Sequence, residues 1–298
     1  MGASCVGGVE TGGSKTVCAI GTGPDDVRAT TCLPTTTPEE TLARAVAFFR
    51  AHETRMPCAA IGIASFGPLD LDPASPTAGV ITRTPKPGWS GVDVAGAVRR
   101  SLMVPAAIDT DVNAAALAES RWGAGIGDDP LVYVTAGTGI GGGVITGGRR
   151  LHGLVHPEMG HMRVPRDETD DFPGTCPFHG DCLEGLAAGP AIQARRGLPA
   201  EALAVDDPVW ALEARYLALG LVNVITMLSP RRIIVGGGLM RHPRLLGDVR
   251  GQVQRLLAGY VRARAILEAI EEYIVAPRLG ERVGVLGAIA LAQEQIGE

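Results

Sequence analysis

Two cysteines and two histidines are spaced closely enough along the chain to bind a single metal ion. Cys176, His179 and Cys182 form a C-x-x-H-x-x-C pattern, and His161 lies fifteen residues before Cys176. Two thiolates and two imidazoles suit tetrahedral zinc, and four protein ligands leave no open position for a reactive water. Because proline and glycine residues separate the ligands, as tight metal-binding turns require, we predict a structural zinc site rather than an irregular loop with incidental cysteines.

The other histidines and cysteines of the chain have different interpretations. His152, His156 and Asp181 lie near the predicted ligands and are alternatives to them, although His152 is better interpreted as an ordinary surface residue. The remaining cysteines lie in or beside apolar stretches, where cysteine usually packs as a small hydrophobic residue. These are Cys5, Cys18, Cys32 and Cys58.

Asp111 is a candidate acid-base group. It lies between a predicted strand at 106–109 and a predicted helix at 113–122. A carboxylate at such a junction can orient a hydroxyl nucleophile and accept its proton. Taken alone, however, an aspartate at this place is more often an N-cap, which accepts a hydrogen bond from a free backbone N–H group of the helix.

Three glycine-rich turns follow strand-like segments. Residues 7–15 and 136–143 each join two strand-like runs, which indicates an internal duplication, and Gly236, Gly237 and Gly238 follow an apolar run at 231–235. Backbone N–H groups in such turns can surround phosphate oxygens, and glycine lets a flat ligand approach the backbone. Each of the first two turns alone is better explained as a simple hairpin, but the third turn changes the balance, and the three together favour a nucleotide site.

Two common nucleotide-binding motifs are excluded. In the first turn Ser14 and Lys15 reverse the order that a P-loop requires, and the run that follows at 16–20 is strand-like rather than helical. A strand also follows the second turn, which argues against a dinucleotide-binding fingerprint.

Strand and helix patterns alternate along the chain, as is typical of an α/β protein. The predicted strands are 4–9, 15–20, 59–64, 106–109, 131–135, 143–146 and 231–235, and the predicted helices are 38–52, 113–122, 208–228, 243–263 and 283–295.

Composition argues against several classes of protein. The 298 residues carry a net charge of −5 with acidic and basic residues interspersed, so the basic stripe of a nucleic-acid-binding protein is missing. No apolar run approaches the roughly 20 residues that span a bilayer, and the first residues lack the features of a signal peptide. We therefore expect a cytoplasmic protein with reduced cysteines and no nucleic-acid or membrane partner.

Five short segments, taken in their order, resemble the ROK (repressor, open reading frame, kinase) family and its fructokinase branch. The segments are 8–15, 109–113, 136–143, 156–161 and 176–185, and the similarity extends over nearly the whole chain. The resemblance implies two duplicated lobes of actin-like, ribonuclease-H-like α/β fold with a ligand cleft between them. The expected N-terminal lobe is 1–115, completed by a C-terminal helix at 280–298, and the expected second lobe is 116–279 with the zinc loop. A homodimer is also implied.

The resemblance further implies transfer of a phosphoryl group from ATP, with Mg²⁺, to a hexose hydroxyl, with Asp111 as the base. The implied sugar contacts are Gly67, Asp111, Glu158, His161 and Glu184. His161 is expected to bind zinc through one ring nitrogen and to face the sugar with the other. The implied ATP contacts are Thr11, Gly12, Gly13, Ser14, Lys15, Gly137, Thr138, Gly139, Gly141, Pro190, Gly236, Gly237 and Gly238.

The sequence departs from the family pattern at two positions. Thr110 stands where many relatives have an asparagine that binds the sugar, which puts a sugar contact at this position in doubt. His179 stands where many relatives have a third cysteine, a replacement that the fructokinase branch shares.

Other functions remain as alternatives. A sugar-sensing repressor of the same family would carry an N-terminal helix-turn-helix, whereas the first glycine turn here begins at Gly7. A zinc hydrolase would need an open metal position and would leave the glycine turns unexplained. Among kinases, a glucokinase, a mannokinase or an N-acetylmannosamine kinase is the nearest alternative. Residues 81–89 resemble the fructokinase branch, so we predict fructose, although the same stretch could be a proline-rich surface loop anchored by Trp89.

Overall fold

The computed structural model describes residues 4–297, which form two compact units. Unit 1 runs to Ile126 and also contains Arg150–Pro157 and the chain from Leu279 onward. Unit 2 contains Gly127–Arg149 and Glu158–Arg278. The chain therefore passes between the units more than once.

Each unit is built on a five-stranded mixed sheet with helices. The strands are β1 (Val6–Thr11), β2 (Lys15–Gly23), β3 (Asp26–Pro34), β4 (Ile61–Ser65), β5 (Ala106–Thr110), β6 (Leu131–Ala136), β7 (Ile140–Thr146), β8 (Arg149–Arg150), β9 (Arg232–Gly236) and β10 (Ile274–Val275). The helices are α1 (Pro38–His52), α2 (Val94–Leu102), α3 (Asp111–Trp122), α4 (Leu183–Ala187), α5 (Gly189–Arg196), α6 (Val209–Leu228), α7 (Leu245–Leu257), α8 (Arg264–Leu267), α9 (Ile270–Tyr273) and α10 (Val283–Gln295).

The two sheets have the same topology. In the first, the strand order is β3-β2-β1-β4-β5, with β1 antiparallel to β2, β2 antiparallel to β3, and β4 parallel to both β1 and β5. In the second, the order is β8-β7-β6-β9-β10, with β6 antiparallel to β7 and β9 parallel to both β6 and β10. Two α/β sheets with one strand order confirm the predicted duplicated fold.

Helix α10 packs directly on the sheet of unit 1. Its apolar residues join a buried cluster with residues of β1, β2 and α3. Glycines make the close approach possible, because a side chain on Gly62 of β4 would overlap the backbone of Ala288, and one on Gly287 would overlap the backbone of Ala114. Helix α3 belongs to the same unit as a whole. The expected lobe limit after residue 115 divides this helix, whereas unit 1 continues to Ile126.

Helix α6 is the long apolar helix of unit 2. Its length and composition would allow it to cross a membrane, but half of its most apolar window is buried within the protein. The helix packs against α7 and α4, and the side chain of Leu183 in α4 lies against Gly220 of α6. The core helix of a globular protein can be as long and as apolar as a membrane-spanning helix, so this stretch is weak evidence for a membrane.

Candidate active site

The four predicted metal ligands converge in unit 2. The ligand atoms of His161, Cys176, His179 and Cys182 all lie within 4.8 Å of one another. The Nδ1 atoms of the two histidines are 3.3 Å apart, and the sulfur–nitrogen distances from Cys176 to His161 and His179 are 3.7 and 3.6 Å. Tetrahedral zinc with ordinary bond lengths places two nitrogens about 3.3 Å apart and a sulfur and a nitrogen about 3.6 Å apart. The donor set and its spacing therefore fit zinc.

Short backbone turns bring these ligands together. The backbone groups of Cys176 and Gly180 form two mutual hydrogen bonds of 3.2 and 2.9 Å, which fold the loop back on itself, and Gly180 has a positive φ of 66°. Cys182 is the N-cap residue of α4, while His161 ends a single 3₁₀ turn, Met159–His161. A hydrogen bond of 2.9 Å from the Leu183 N–H to the Met162 carbonyl joins the turn to the helix.

The alternative ligands have other partners. Asp181 forms ion pairs with Arg163 and Arg166. His156 is buried, and its Nε2 accepts a 3.0 Å hydrogen bond from the Leu69 N–H in unit 1. His152 is exposed, as predicted for a surface residue, and its Nε2 also lies 3.0 Å from the buried carboxylate of Asp109.

Glu184 connects the metal loop with the second glycine turn. Its Oε2 accepts a 2.9 Å hydrogen bond from the Ile140 N–H at the start of β7. The same oxygen would lie 2.7 Å from a Cβ atom on Gly139, so a side chain there would displace the carboxylate from this position. Glu158, the other implied sugar carboxylate of unit 2, immediately precedes the 3₁₀ turn of His161.

The implied nucleotide contacts of unit 2 lie around one turn. The N–H group of Gly189 donates a 2.7 Å hydrogen bond to the Gly137 carbonyl, which brings Pro190 and the start of α5 beside the turn. Gly237 has a φ of 97° and packs on the Ala136 backbone, where a side chain would not fit. Gly238 lies next to Gly137. Thr138 is part of the turn, whereas Gly141 and Gly236 lie within strands β7 and β9.

The first glycine turn lies in unit 1. The Gly12 N–H donates a 2.9 Å hydrogen bond to the Lys15 carbonyl, which closes the turn between β1 and β2. Thr11 is buried, whereas Gly13, Ser14 and Lys15 are exposed at the tip. The Nζ of Lys86 donates a 2.6 Å hydrogen bond to the Gly13 carbonyl.

The 81–89 stretch is therefore attached to this turn. Trp89 is completely buried, and its indole N–H donates a 2.9 Å hydrogen bond to the Thr36 carbonyl. The buried ring anchors the stretch, and the stretch in turn holds Lys86 at the glycine turn.

Asp111 begins helix α3 in unit 1 but does not cap it. Thr110 is the N-cap residue, and its hydroxyl oxygen accepts a 3.1 Å hydrogen bond from the Asn113 N–H. The Asp111 carboxylate accepts a 2.9 Å hydrogen bond from the N–H of the next residue, Val112, and it also interacts with its own backbone N–H. Burial raises the pKa of Asp111 to about 6, against the opposing effect of the backbone hydrogen bonds. Such a carboxyl group is ionised at neutral pH yet is a stronger base than an ordinary aspartate.

Glu10 is a candidate site residue that was not predicted from the sequence. It lies on β1, its carboxyl group packs on Gly284 at the start of α10, and it accepts a hydrogen bond from the Val285 backbone. Burial and the nearby charge of Asp111 raise the pKa of Glu10 to about 7. The available signal was an acidic residue within an otherwise buried strand.

Gly67 lies in unit 1 against His156. A Cβ atom on Gly67 would lie 3.3 Å from the imidazole ring, so the backbone at this implied sugar contact is packed against that ring. The structure therefore brings the implied residues into two sets. Unit 1 holds the first glycine turn, Gly67 and Asp111, and unit 2 holds the second turn, the metal cluster and Glu158 with Glu184.

A duplicated mixed sheet with a glycine turn between the first two strands of each repeat defines the actin-like class of α/β proteins. Within that class, the Cys₂His₂ loop of unit 2 is an additional feature that points to a smaller group of proteins. A family model described as the ROK family matches residues 6–295, and the chain belongs to this family.

Relatives and solved structures match over nearly the full length. The chain is 45% identical to a fructokinase from Zymomonas mobilis subsp. mobilis, with 96% of this chain and 95% of the relative covered. It is 41% identical to a fructokinase from Pediococcus pentosaceus, with 97% of each chain covered. A crystal structure of a ROK family glucokinase from Streptomyces griseus, in complex with glucose and AMPPNP, is 26% identical with a TM-score of 0.78, covering 98% of this chain and all of the other.

Proposed function

We propose that this protein is a fructokinase, which transfers the γ-phosphoryl group of ATP to the 6-hydroxyl group of D-fructose. The observation that carries the proposal is Asp111, a partly buried carboxylate with a raised pKa at the start of a helix, in a chain whose relatives at 41 and 45% identity are fructokinases. Asp111 would orient the sugar hydroxyl and accept its proton as the oxygen attacks phosphorus.

The two glycine turns would bind the ATP phosphates. Their backbone N–H groups would donate hydrogen bonds to the anionic phosphate oxygens. At the exposed tip of the first turn, Gly13 and Ser14 are small and Lys15 carries a positive charge. Gly237, Gly238 and Pro190 lie beside the second turn and would contact the adenosine.

Magnesium fits the acidic residues of unit 1. Glu10 would hold Mg²⁺, since its carboxyl group is close enough to Asp111 for the two charges to interact, and carboxylate oxygens suit this ion. When bound, Mg²⁺ neutralises negative charge on the β- and γ-phosphates.

Zinc fits the cluster of unit 2 as a structural ion. His161 contributes Nδ1 to the cluster, which leaves Nε2 for a sugar hydroxyl, and the cluster also fixes Cys182, two residues before Glu184. Glu158, His161 and Glu184 would then hold the sugar by hydrogen bonds.

A glucokinase or mannokinase is the second candidate. The Streptomyces griseus glucokinase shares the fold, but its identity of 26% is well below that of the fructokinases. Our proposal also includes a homodimeric, cytoplasmic enzyme, and light scattering after size exclusion tests the dimer.

The proposal is tested by fructose-dependent release of ADP from MgATP. Asp111→Asn keeps the size of the side chain but removes the base, so we expect the turnover to fall by about 10²- to 10⁴-fold. The affinity for ATP should stay nearly unchanged, because the glycine turns are intact. Wild-type turnover in this variant would leave Asp111 without a catalytic role, and absence of fructose-dependent ADP release by the unmodified protein would refute the assignment as a fructokinase.

A further inference from the structure

Asp109 is a buried carboxylate that binds residues on both sides of Asp111, the proposed base. It lies near the end of β5, two residues before Asp111, and its side chain is only 1% exposed. Its Oδ1 accepts a 2.7 Å hydrogen bond from the Thr110 N–H and a 2.8 Å hydrogen bond from the Asn113 side-chain amide. One oxygen atom therefore binds the residue before Asp111 and the residue two positions after it.

The other oxygen of Asp109 is held from the segment Arg150–Pro157. The Nε of Arg150 donates to Oδ2 at 2.6 Å, and the Nε2 of His152 lies 3.0 Å from the same oxygen. Arg150 is fixed in turn by Glu294 of α10. Burial alone would raise the pKa of Asp109, but hydrogen bonding and charge from His152, followed by the charge of Arg150, outweigh it and lower that pKa below the usual value.

His152 must donate through Nε2 to Asp109, because an ionised carboxylate only accepts hydrogen bonds. The same Nε2 lies 3.3 Å from the amide nitrogen of Asn113, which also donates to Asp109. The three side chains thus form one cluster in which both oxygens of Asp109 are used.

We infer that Asp109, held by His152 and Arg150, is a positioning residue that fixes the Asp111 carboxylate for proton transfer. The inference rests on the proposed function. The Asp111 carboxylate is held by backbone N–H groups at 111 and 112, so its orientation depends on the backbone at 110–113, which Asp109 holds from both sides. Misplacing a base by about 1 Å can reduce turnover by about 10²-fold.

A matched control exists on the same helix. Glu119 is also a completely buried carboxylate, and it accepts hydrogen bonds of 2.6 and 2.9 Å from the backbone N–H groups of Ala124 and Leu279. It secures the C-terminal end of α3, whereas Asp109 secures the N-terminal end beside Asp111. Glu119→Gln should therefore reduce thermal stability without changing turnover.

The experiment compares Asp109→Asn, Glu119→Gln and Asp111→Asn in the zinc-loaded enzyme. An asparagine side chain must turn its NH₂ group either toward the donors of Thr110 and Asn113 or toward those of Arg150 and His152. One of these two sets of hydrogen bonds is therefore lost. We expect kcat of Asp109→Asn to fall about 10- to 100-fold while KM for MgATP stays within about twofold. The inference fails if Asp109→Asn keeps wild-type kcat, or if Glu119→Gln loses as much kcat at an equal loss of Tm. Full activity of Asp111→Asn would refute the proposed base instead.

His152 supplies a second test if Asp109→Asn does not fold. Glutamine places an N–H donor near the position of the histidine Nε2, whereas alanine has none, so His152→Gln should keep kcat within about threefold and His152→Ala should lose about 5- to 20-fold. Equal turnover of the two variants would contradict the inference.

Discussion

Asp109 and Asp111 are two residues apart, yet their surroundings give them opposite acid strengths. Asp109 is buried too, but His152 and Arg150 bind its ionised form and lower its pKa. For Asp111 the effects that oppose burial come from backbone hydrogen bonds, burial prevails over them, and its pKa rises to about 6. One carboxylate therefore stays ionised as a fixed structural charge, while the other can gain and lose a proton near neutral pH.

The raised pKa of Asp111 predicts a pH profile. The base must be deprotonated to accept a proton, so kcat/KM for fructose should rise with pH through about 6 and level off above it. Glu10, with a pKa of about 7, interacts with Asp111 and broadens this rise. Steady-state rates at saturating MgATP between pH 5 and 8 measure the profile. This range extends roughly one to two pH units on each side of the transition.

Zinc loss at low pH would mimic the same fall in rate, since protons compete for thiolates and imidazoles. Zinc content is therefore measured at each pH, and only points with full metal are used. A flat profile down to pH 5 in the zinc-loaded enzyme would contradict the assignment of Asp111 as base.

The spacing in sequence indicated the cluster of two histidines and two cysteines, because all four lie within a short, polar stretch of the chain, and their ligand atoms do converge. The cap of α3 could not be predicted in this way. Thr110, Asp111 and Asn113 all suit an N-cap, and only the backbone geometry selects Thr110. The partner of His152 was also hidden, because Asp109 is distant in sequence and no local pattern connects the two.

Among the elements, the ends of α1 and α10 were predicted to the residue. Thr37 caps α1 and Pro38 occupies its first turn, which are strong local start signals. Helix α7 ends at Leu257 instead of 263, because Ala258 and Gly259 take positive φ values that stop the helix.

Two of the elements that were not predicted lack a clear local pattern. Strand β3 is at the edge of its sheet and has exposed, polar residues at alternate positions, so it lacks an apolar run. Helix α2 has only nine residues and contains Gly96, which weakens its helical pattern.

The metal-binding loop before α4 leads to a prediction about zinc content and stability. The purified protein should contain about one zinc per chain. Cys182→Ser removes one of the four ligands and should lose the metal. Structural zinc contributes on the order of 10 kcal/mol of apparent binding free energy, so its loss should also destabilise the fold. Because Cys182 is the N-cap residue of α4, the variant should have a lower Tm and weaker sugar binding through Glu184. Metal analysis, thermal unfolding and fructose KM measure these effects.

Cys32→Ser is the control, because Cys32 is exposed on β3 and lies outside the cluster. It should keep zinc, Tm and activity. If Cys182→Ser retains full zinc and full activity, the four residues are not the metal site.

For the molecule as a whole, the repeated glycine turns indicated the duplication, and the matching strand orders confirm it. The extent of the two units was harder to predict. Segment Arg150–Pro157 belongs to unit 1 through contacts of Arg150, His152 and His156 with residues distant in sequence. Nothing within the segment itself marks it as part of the first unit, and so a simple division of the chain missed it.

The choice of sugar is a property of the whole site. We predict that fructose has the highest kcat/KM among fructose, mannose, glucose and N-acetylmannosamine, measured at saturating MgATP. Glu158, His161 and Glu184 would each pair with a sugar hydroxyl, and a sugar that moves one hydroxyl leaves a polar group unpaired. Such a group costs about 1 to 3 kcal/mol, which corresponds to roughly 5- to 150-fold in kcat/KM. Discrimination should therefore be partial, with measurable rates for mannose or glucose. The metal cluster should contribute to this ranking, because it positions both His161 and the residue that precedes α4. If glucose gives the highest kcat/KM, the assignment to fructose is wrong, whereas sugar phosphorylation by MgATP with Asp111 as base still holds.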